Sequence, residues 1–305
     1  MESLLSFALA LAAAPLFPGI ILKVKAFFAG RKGPPLLIRY FTLTKLFRKG
    51  SVYSTTTTFV FTLAPVVSCA GALLLLLFFP LGIGPPLLAF AGDAVLLFYV
   101  LAAGRFFTIA AALDTGSPFE GMGAAREALF GALAEIAVFI ILILFFRMNG
   151  TLSFADFFTG VRPISLTGTA GALLPLVIVA LFMVLLTENS RVPVDDPATH
   201  LELTMIHEVM ILDHSGPDLA LIHLAAYYKL LFFAAWISLL LCPIDPAIGL
   251  LNLPIFYGIM TLVYVAVGVV ESIMARLRMN LVPQFILTSC TLLFFAAILT
   301  MGYLQ

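Results

Sequence analysis

Residues 57–79 read TTFVFTLAPVVSCAGALLLLLFF, a run of 23 residues without a charged side chain. A helix needs about 20 apolar residues to cross the hydrocarbon core of a bilayer. Lipid offers no hydrogen bonds to the backbone, so a continuous apolar run of this length is helical. The stretch therefore predicts a transmembrane helix, and the same pattern recurs along the chain.

Seven further apolar runs predict spans near residues 3–22, 87–111, 129–146, 170–187, 222–241, 251–272 and 283–304. The whole chain is 62% hydrophobic and only 10% charged, whereas soluble domains carry about 25% charged residues. We therefore expect an all-α polytopic membrane protein with about eight transmembrane helices, forming a single integral membrane domain over residues 1–305. The composition contains no basic domain that would favour nucleic-acid binding.

The basic residues are distributed very unevenly over this eight-span topology. One set of alternate loops has only Arg147 and Arg162. The positive-inside rule then predicts a multi-pass protein of the cytoplasmic (inner) membrane with both termini outside. The basic charges Lys23 and Lys25 follow the first span, which indicates a retained helix and not a cleaved signal. The other set of loops carries Lys23, Lys25, Arg31, Lys32, Arg39, Lys45, Arg48, Lys49, Arg105, Arg126, Arg191, Lys229, Arg276 and Arg278.

Two long loops on the basic side stand out. The first, residues 23–56, holds eight of the sixteen basic residues, and apolar and basic side chains alternate over residues 36–49. This pattern predicts an amphipathic helix on the membrane surface, where contact with anionic lipid is the simplest role. The second loop, residues 188–221, holds seven of the sixteen acids and three histidines. Helical spacing over residues 198–212 predicts a helix there, and a solvated loop without a role is the alternative.

Metal binding is not expected in this chain. Cys69, Cys242 and Cys290 are far apart and form no CxxC pair. His207 is followed by Glu208 as in some zinc motifs, but no second histidine lies four residues on. No nucleotide-binding or catalytic motif is present, so no catalytic residue is assigned.

Ionisable residues within or near the spans are the candidates for chemistry. Such groups are costly in lipid and usually mark ion or proton paths. We therefore predict a proton relay or coupling set, extended into the acidic loop by two further acids. Its members are Asp93, Glu127, Glu135, Glu188, Asp195, Glu202, Glu271 and Lys229.

Several motifs resemble those of the complex I subunit 1 family. Arg31-Lys32-Gly33-Pro34 resembles its Arg-x-Gly-Pro signature. Glu188-x-x-Arg191-x-Pro193-x-Asp195, followed by Glu202-Leu203 and Ser215-Gly216, resembles the long loop between its fifth and sixth helices. Within that family, residues 113–119, 123–127 and 272–278 look like the membrane subunit of formate hydrogenlyase and related hydrogenase-4-type [NiFe] hydrogenases. Ala198 and His200 stand where quinone-reducing members have acids, which argues against a quinone site.

The resemblance implies a membrane-anchoring and coupling subunit that links electron transfer in a peripheral arm to proton or sodium translocation. It implies no cofactor bound by this chain alone, with iron–sulfur clusters and a NiFe centre in partner subunits. The implied partners are peripheral hydrogenase-like large and small subunits, antiporter-like membrane subunits and the lipid bilayer. The predicted partner interface comprises Arg31, Gly33, Pro34, Arg126, Arg191, Asp196, His200, His207 and Glu208.

Two alternatives remain open at this point. The chain could be the quinone-site subunit of a NADH:quinone oxidoreductase. It could also be a stand-alone secondary transporter, which is disfavoured because transporters concentrate polar groups at the bilayer midplane and this chain concentrates them in loops.

Overall fold

The computed structural model describes residues 2–159, 169–197, 204–242 and 249–303. Helices dominate these ranges, and no strand occurs in them. A short 3₁₀ turn, Gly249–Leu251, precedes the eleventh helix. The helices are α1 (Glu2–Ala13), α2 (Phe17–Phe28), α3 (Ile38–Phe47), α4 (Phe59–Leu77), α5 (Asp93–Asp114), α6 (Pro118–Asn149), α7 (Phe154–Thr159), α8 (Thr169–Glu188), α9 (His207–Met210), α10 (Gly216–Leu241), α11 (Asn252–Ile273) and α12 (Val282–Tyr303).

Six of these elements are long and apolar enough to cross a membrane, namely α4, α5, α6, α10, α11 with its preceding turn, and α12. The pair α1 and α2, bent by 43°, makes a seventh if it is one span. The described apolar part of α8, Leu173–Glu188, is shorter. The all-α polytopic class is confirmed, and the count of eight spans stays a prediction.

The bend between α1 and α2 follows from proline. Pro15 and Pro18 lack the N–H that would continue the helical ladder. The Leu16 N–H instead bonds to the Ala13 carbonyl at 2.9 Å. The Tyr40 hydroxyl of α3 donates to the Ala12 carbonyl. The surface helix therefore satisfies a carbonyl at the break, as a kink in lipid requires.

Two predicted spans have different limits in the structure. The span predicted at 87–111 begins only at Asp93, because Gly92 takes a left-handed conformation and residues 78–92 form turns. The span predicted at 129–146 runs from Pro118 to Asn149, with Pro118 at the first helical position, where its fixed φ suits a helix. At 32 residues, α6 is longer than the bilayer core.

The core centres on α10, whose residues from Leu230 to Leu239 are all buried. Trp236 lies among aromatic rings of other helices, with Phe79 of the segment after α4, Phe145 of α6 and Phe154 of α7 within 6.5 Å between ring centroids. The apolar side chains of α10 thus hold the bundle together from its middle.

The loops that meet at one end of the bundle carry most of the basic residues, and we name it the basic end. There Asp114 accepts hydrogen bonds from the backbone N–H and hydroxyl of Thr58 at 2.6 and 3.0 Å. The Val52 N–H donates to the Ser215 hydroxyl at 3.0 Å, which ties the first long loop to the second. The predicted surface helix is confirmed as α3.

The helix predicted over 198–212 is wrong for its described part. Residues 198–203 lie outside the described residues, and only His207–Met210 are helical after them. The reason is local. The Asp195 carboxylate accepts the N–H groups of Ile206 and His207 at 3.1 and 3.0 Å, so it caps the start of α9 and fixes a turn before it.

Close packing of α2 against the first long loop gives a stability prediction. A Cβ on Gly19 would overlap the Leu36 carbonyl oxygen and lie 3.1 Å from its carbon. We expect Gly19→Ala to cost about 1–3 kcal/mol, because backbone must move to make room. The measurement is the thermal unfolding midpoint in detergent. The control is Gly258→Ala in α11, where a Cβ meets nothing within 4 Å and alanine should be neutral or stabilising. Equal midpoints for both variants would contradict this account.

Candidate functional site

A buried ion cluster lies between α5, α6, α8 and α10. At its centre is Arg105 of α5, a side chain only 8% exposed. Its guanidinium donates to Glu135 of α6 at 2.5 Å and also donates to Glu188 at the end of α8. Glu127, two turns before Glu135 on α6, lies 3.7 Å from the Arg105 Nε. One cation therefore serves three carboxylates from two helices.

The second cation of this cluster is Lys229 of α10. Its Nζ lies 2.9 Å from the second oxygen of Glu188, whose side chain is 2% exposed. With three carboxylates and two cations, the cluster has one formal negative charge in excess.

Glycine makes room for the guanidinium. A Cβ on Gly131 of α6 would lie 2.5 Å from the Arg105 Nε. The spacing of Glu127, Gly131 and Glu135, four residues apart each, places all three on one helical face toward α5. One face of α6 therefore supplies two of the carboxylates, and its glycine leaves the space that the Arg105 guanidinium occupies.

Two cavities border the cluster. The larger, of about 100 Å³, is lined by apolar residues of α4, α5 and α10 together with Arg105, Glu127, Glu188, His207 and Lys229. A smaller one of about 10 Å³ lies between Arg105, Glu127, Glu188 and Asp195. The smaller cavity, bordered by four charged side chains, has room for about one water molecule. A water molecule there would connect the cluster to Asp195.

A second ion cluster joins α2, α11 and the loop after α8. Glu271 of α11 lies 3.0 Å from the Lys25 Nζ and 3.3 Å from an Arg191 nitrogen. The Glu271 side chain is 1% exposed. Its carboxylate is thus balanced by two cations from different parts of the chain.

Asp195 is another buried acid of the basic end. It lies 2.9 Å from an Arg276 nitrogen. Three backbone N–H groups, from Asp196, Ile206 and His207, donate to its two oxygens. The neighbouring Leu277 N–H donates to the Pro193 carbonyl at 2.9 Å. Asp195 therefore fixes the acidic loop to the segment that follows α11.

Two histidines of the second long loop are held neutral. Burial lowers the pKa of His207 to about 4, and the nearby Lys229 acts in the same direction. Burial also lowers the pKa of His214 to about 4, against the effect of Asp218 and Asp213. The His214 ring stacks on Phe61 at 3.9 Å between centroids. Both imidazole rings are therefore uncharged near neutral pH.

Asp93, by contrast, lies far from the cluster. It is the first residue of α5, about three turns before Arg105. Its carboxylate accepts hydrogen bonds from the Ser153 hydroxyl at 2.9 Å and the Phe154 N–H at 2.8 Å. It thereby stabilises the start of α7. These contacts describe a structural role for Asp93, separate from the other predicted relay residues.

The predicted interface residues divide into two groups. Arg31 and Gly33 are exposed, with Gly33 at a positive φ of 64°, and Pro34 is half-buried beside them. Others make internal contacts: Arg126 donates to the Met205 carbonyl at 2.9 Å, and Arg191 pairs with Glu271. Asp196, His207 and Glu208 are half-buried in the second long loop. Glu202 and His200 lie outside the described residues.

Three cations of these clusters, Arg105, Lys25 and Arg276, are not among the predicted site residues. The charge distribution over the topology counts Arg105 and Lys229 with the loops, which is wrong, since both lie within helices. The signal for Arg105 was present: a single arginine inside an apolar run indicates a buried partner. Lys25 and Arg276 carried no such signal, because their partners Glu271 and Asp195 are distant in sequence.

No group of three or more potential metal ligands occurs within the described ranges. Cys69 and Cys290 are buried and Cys242 is half-buried, and all three are free thiols.

The fold and its site define a class of protein: a polytopic membrane protein whose buried ion clusters lie beneath long loops at one end of the bundle. The comparisons specify that class. Residues 1–302 match the family model described as NADH dehydrogenase. The chain belongs to this family, which confirms the resemblance to complex I subunit 1.

Two relatives and one solved structure carry the comparison further. The chain is 31% identical over 278 residues to Hydrogenase-4 component C of Escherichia coli K12, covering 88% of this chain and 85% of that protein. It is 39% identical over 125 residues to Formate hydrogenlyase subunit 4 of the same organism, covering 41% and 40%. A chain of the archaeal membrane-bound sulfane sulfur reductase, a respiratory membrane complex, shares the fold, with a TM-score of 0.83, 22% identity and 97% coverage of both chains.

Removing the shared cation should destabilise the bundle. We expect Arg105→Met to cost about 3–5 kcal/mol, because the Glu188 carboxylate loses a partner while still buried, and Glu127 and Glu135 lose theirs as well. Arg147→Met, at an exposed position on the same membrane protein, is the control and should change stability little. The measurement is unfolding of the purified chain in detergent. Equal stability of the two variants would show that the cluster contributes nothing to folding.

His214 gives a pH prediction. Its folded pKa of about 4 is below the unfolded value of about 6.5, so its contribution is complete above about pH 6.5 and lost as the pH falls toward 4. Lowering the pH from about 7 to about 5 should cost on the order of 2 kcal/mol through this residue. In His214→Phe, which keeps a ring on Phe61, that part of the loss should disappear. Identical pH profiles for wild type and variant would contradict the assignment.

Proposed function

We propose that this chain is the membrane-anchoring and coupling subunit of an energy-converting hydrogenase or formate hydrogenlyase-type complex. In this proposal it links electron transfer in a peripheral arm to proton or sodium translocation in the membrane. It sits in the cytoplasmic membrane, with the basic end facing the cytoplasm and both termini outside. The single observation that carries the proposal is the Arg105 cluster.

The position of the cluster supports a route through the bundle. Glu188 and Lys229 are its interior end, against the central helix α10. Glu135 is its outer end, 31% exposed beside an open groove of Phe98, Ile136 and Phe139 on α5 and α6. A carboxylate at such a place is costly against lipid. A neighbouring membrane subunit at this groove would remove that cost and receive the charge.

The charge balance supports a relay in which protons move. Three carboxylates around two cations can share one extra proton, and the proton can change its position among them. The smaller cavity provides room for the water that would bridge Asp195 to Glu127 and Glu188. In the proposed relay, Glu127, Glu135 and Glu188 exchange the proton. Arg105 and Lys229 balance the negative charge of these carboxylates. Asp195 and Glu271 hold the loop after α8 in place through their ion pairs. Glu202 belongs to the relay as a proposal from the sequence alone, and Asp93 has the separate role described above.

The basic end supports docking of the peripheral arm. Its two long loops are joined by the Val52–Ser215 hydrogen bond, so they would present one surface. Arg31 and Gly33 are exposed on the first loop, and Asp196 and Glu208 lie on the second. A charge change in a partner's redox centre near this surface would act on the buried acids beneath it, because electrostatic interactions are strong where water is scarce.

The proposed partners follow from the relatives. Proteins named as components of hydrogenase-4 and formate hydrogenlyase suggest hydrogenase-like large and small subunits at the basic end, which would hold the iron–sulfur clusters and the NiFe centre. Antiporter-like membrane subunits would cover the groove beside Glu135.

A second candidate is a quinone-site subunit of a NADH:quinone oxidoreductase. The larger cavity favours it to a degree, because apolar walls from α4, α5 and α10 with a few polar groups such as His207 are typical of a ligand pocket. Turnover of the purified complex with and without added quinone separates the two. Quinone-dependent turnover blocked by quinone-site inhibitors would support this candidate over the hydrogenase.

The proposal predicts that Glu135→Gln loses coupled ion transport while the complex still assembles. Glutamine can keep a hydrogen bond to Arg105 but cannot accept and release a proton. The measurement is ion uptake by the complex in liposomes, driven by donor oxidation, with hydrogen evolution followed in parallel. Ion uptake should fall at least about tenfold, as expected for loss of a positioned acid–base group.

Asp156→Asn is the matched control, since Asp156 is an exposed acid of α7. It should transport ions as the wild type does. Full coupling in Glu135→Gln would remove Glu135 from the relay and leave it a packing residue.

A further inference from the structure

The first ninety residues carry an unbalanced positive charge. No Asp or Glu occurs between Ser3 and Gly92, whereas eight Lys and Arg residues do. Lys25 pairs with Glu271, and the Lys23 ammonium donates to the Lys32 carbonyl at 3.2 Å. Five of the eight cations, Arg31, Lys32, Lys45, Arg48 and Lys49, are exposed.

Three of these cations lie together at the end of α3: Lys45, Arg48 and Lys49 are all exposed. A helix C-terminus carries only about half a negative charge, so it balances a small part of their charge. Such a cluster attracts anions.

The same face of α3 is apolar at its other end. Leu37 and Phe41 precede Lys45 and Arg48 at spacings of four, four and three residues, which aligns all four along one side of the helix. Leu37 is 49% exposed and Phe41 is 59% exposed. On the opposite side, Leu43 is buried and Leu46 packs against the bundle core. One side of α3 thus binds the protein, and the other presents an apolar patch followed by a cationic one.

We propose that this face of α3 binds anionic phospholipid of the surrounding bilayer. Leu37 and Phe41 contact the upper acyl chains, and Lys45, Arg48 and Lys49 contact headgroup phosphates, each cation adding an electrostatic attraction. We name these five residues the α3 lipid face. The inference is independent of the redox partner and of the relay.

Position favours lipid over an acidic protein as the occupant. The α3 helix follows the bent apolar pair of α1 and α2, and the last residues of α2, Phe27 and Phe28, are 80% and 51% exposed. The Tyr40 hydroxyl holds α3 against the Ala12 carbonyl of α1, in the same apolar pair. Exposed aromatic rings beside a spanning helix are typical of the membrane interface, and this places the apolar half of the face at the level of the bilayer.

The test uses the purified full chain with defined lipids. Three proteins are compared: the wild type, the triple glutamine variant K45Q/R48Q/K49Q, and the charge-conserving variant K45R/R48K/K49R. Each is washed in detergent containing equal amounts of phosphatidylglycerol and phosphatidylcholine, and the retained lipid is counted by native mass spectrometry. We expect the wild type and the charge-conserving variant to retain phosphatidylglycerol preferentially. The triple glutamine variant should lose that preference about tenfold or more, given the usual contribution of each basic residue. R147Q is the control for removal of a basic residue elsewhere, since Arg147 is exposed near the end of α6.

The outcomes are distinguishable. Equal phosphatidylglycerol retention by wild type and the triple glutamine variant overturns the proposal. The triple glutamine variant is also purified as part of the complex. If it keeps its lipid there but loses peripheral subunits, the face is a protein interface and the proposal is overturned. If the glutamine variant does not fold, wild-type retention is measured against salt. Phosphatidylglycerol retention that falls with salt supports the proposal, and salt-independent retention overturns it.

Discussion

The sharing of Arg105 by three carboxylates is the constraint on which the rest of the bundle depends. A buried guanidinium needs compensation, and Glu127, Glu135 and Glu188 can supply it only if α5, α6 and α8 meet at this depth. Lys229 adds α10 through Glu188. Lipid gives no hydrophobic preference for one helix arrangement over another, since its tails are as apolar as the helices. The ion cluster therefore specifies which helices are neighbours, and apolar packing around Trp236 fills the space that remains.

The loop after α8 applies the same principle three times within eight residues. Glu188 pairs with Arg105 and Lys229, Arg191 pairs with Glu271, and Asp195 pairs with Arg276. Each pair ties the loop to another element of the basic end. The three charged residues of the motif Glu188-x-x-Arg191-x-x-x-Asp195 thus each bind an oppositely charged residue from another part of the chain. It connects the surface where a partner would dock to the acids that would move protons.

The sequence was most informative where a pattern is local. Apolar runs predict the membrane class, alternation predicts α3, and isolated acids such as Glu127 and Glu135 predict a buried site. It was least informative where partners are distant. Nothing near Lys25 points to Glu271, and nothing near Asp195 points to Arg276, because such pairs exist only once helices have packed. The helix expected over 198–212 failed for a related reason, since helical spacing cannot reveal that Asp195 takes the N–H groups of Ile206 and His207.

The central claim is that the Arg105 cluster carries an exchangeable proton whose position responds to the redox state of a partner. Infrared difference spectroscopy of the purified complex, oxidised against reduced, tests it most directly, because a protonated carboxyl has its own C=O band. The account predicts a carboxyl band that changes between the two states and is lost or shifted in Glu127→Gln and in Glu135→Gln. The account would be contradicted if no carboxyl band changed between the two states. It would also be contradicted if both variants showed the same band change as the wild type.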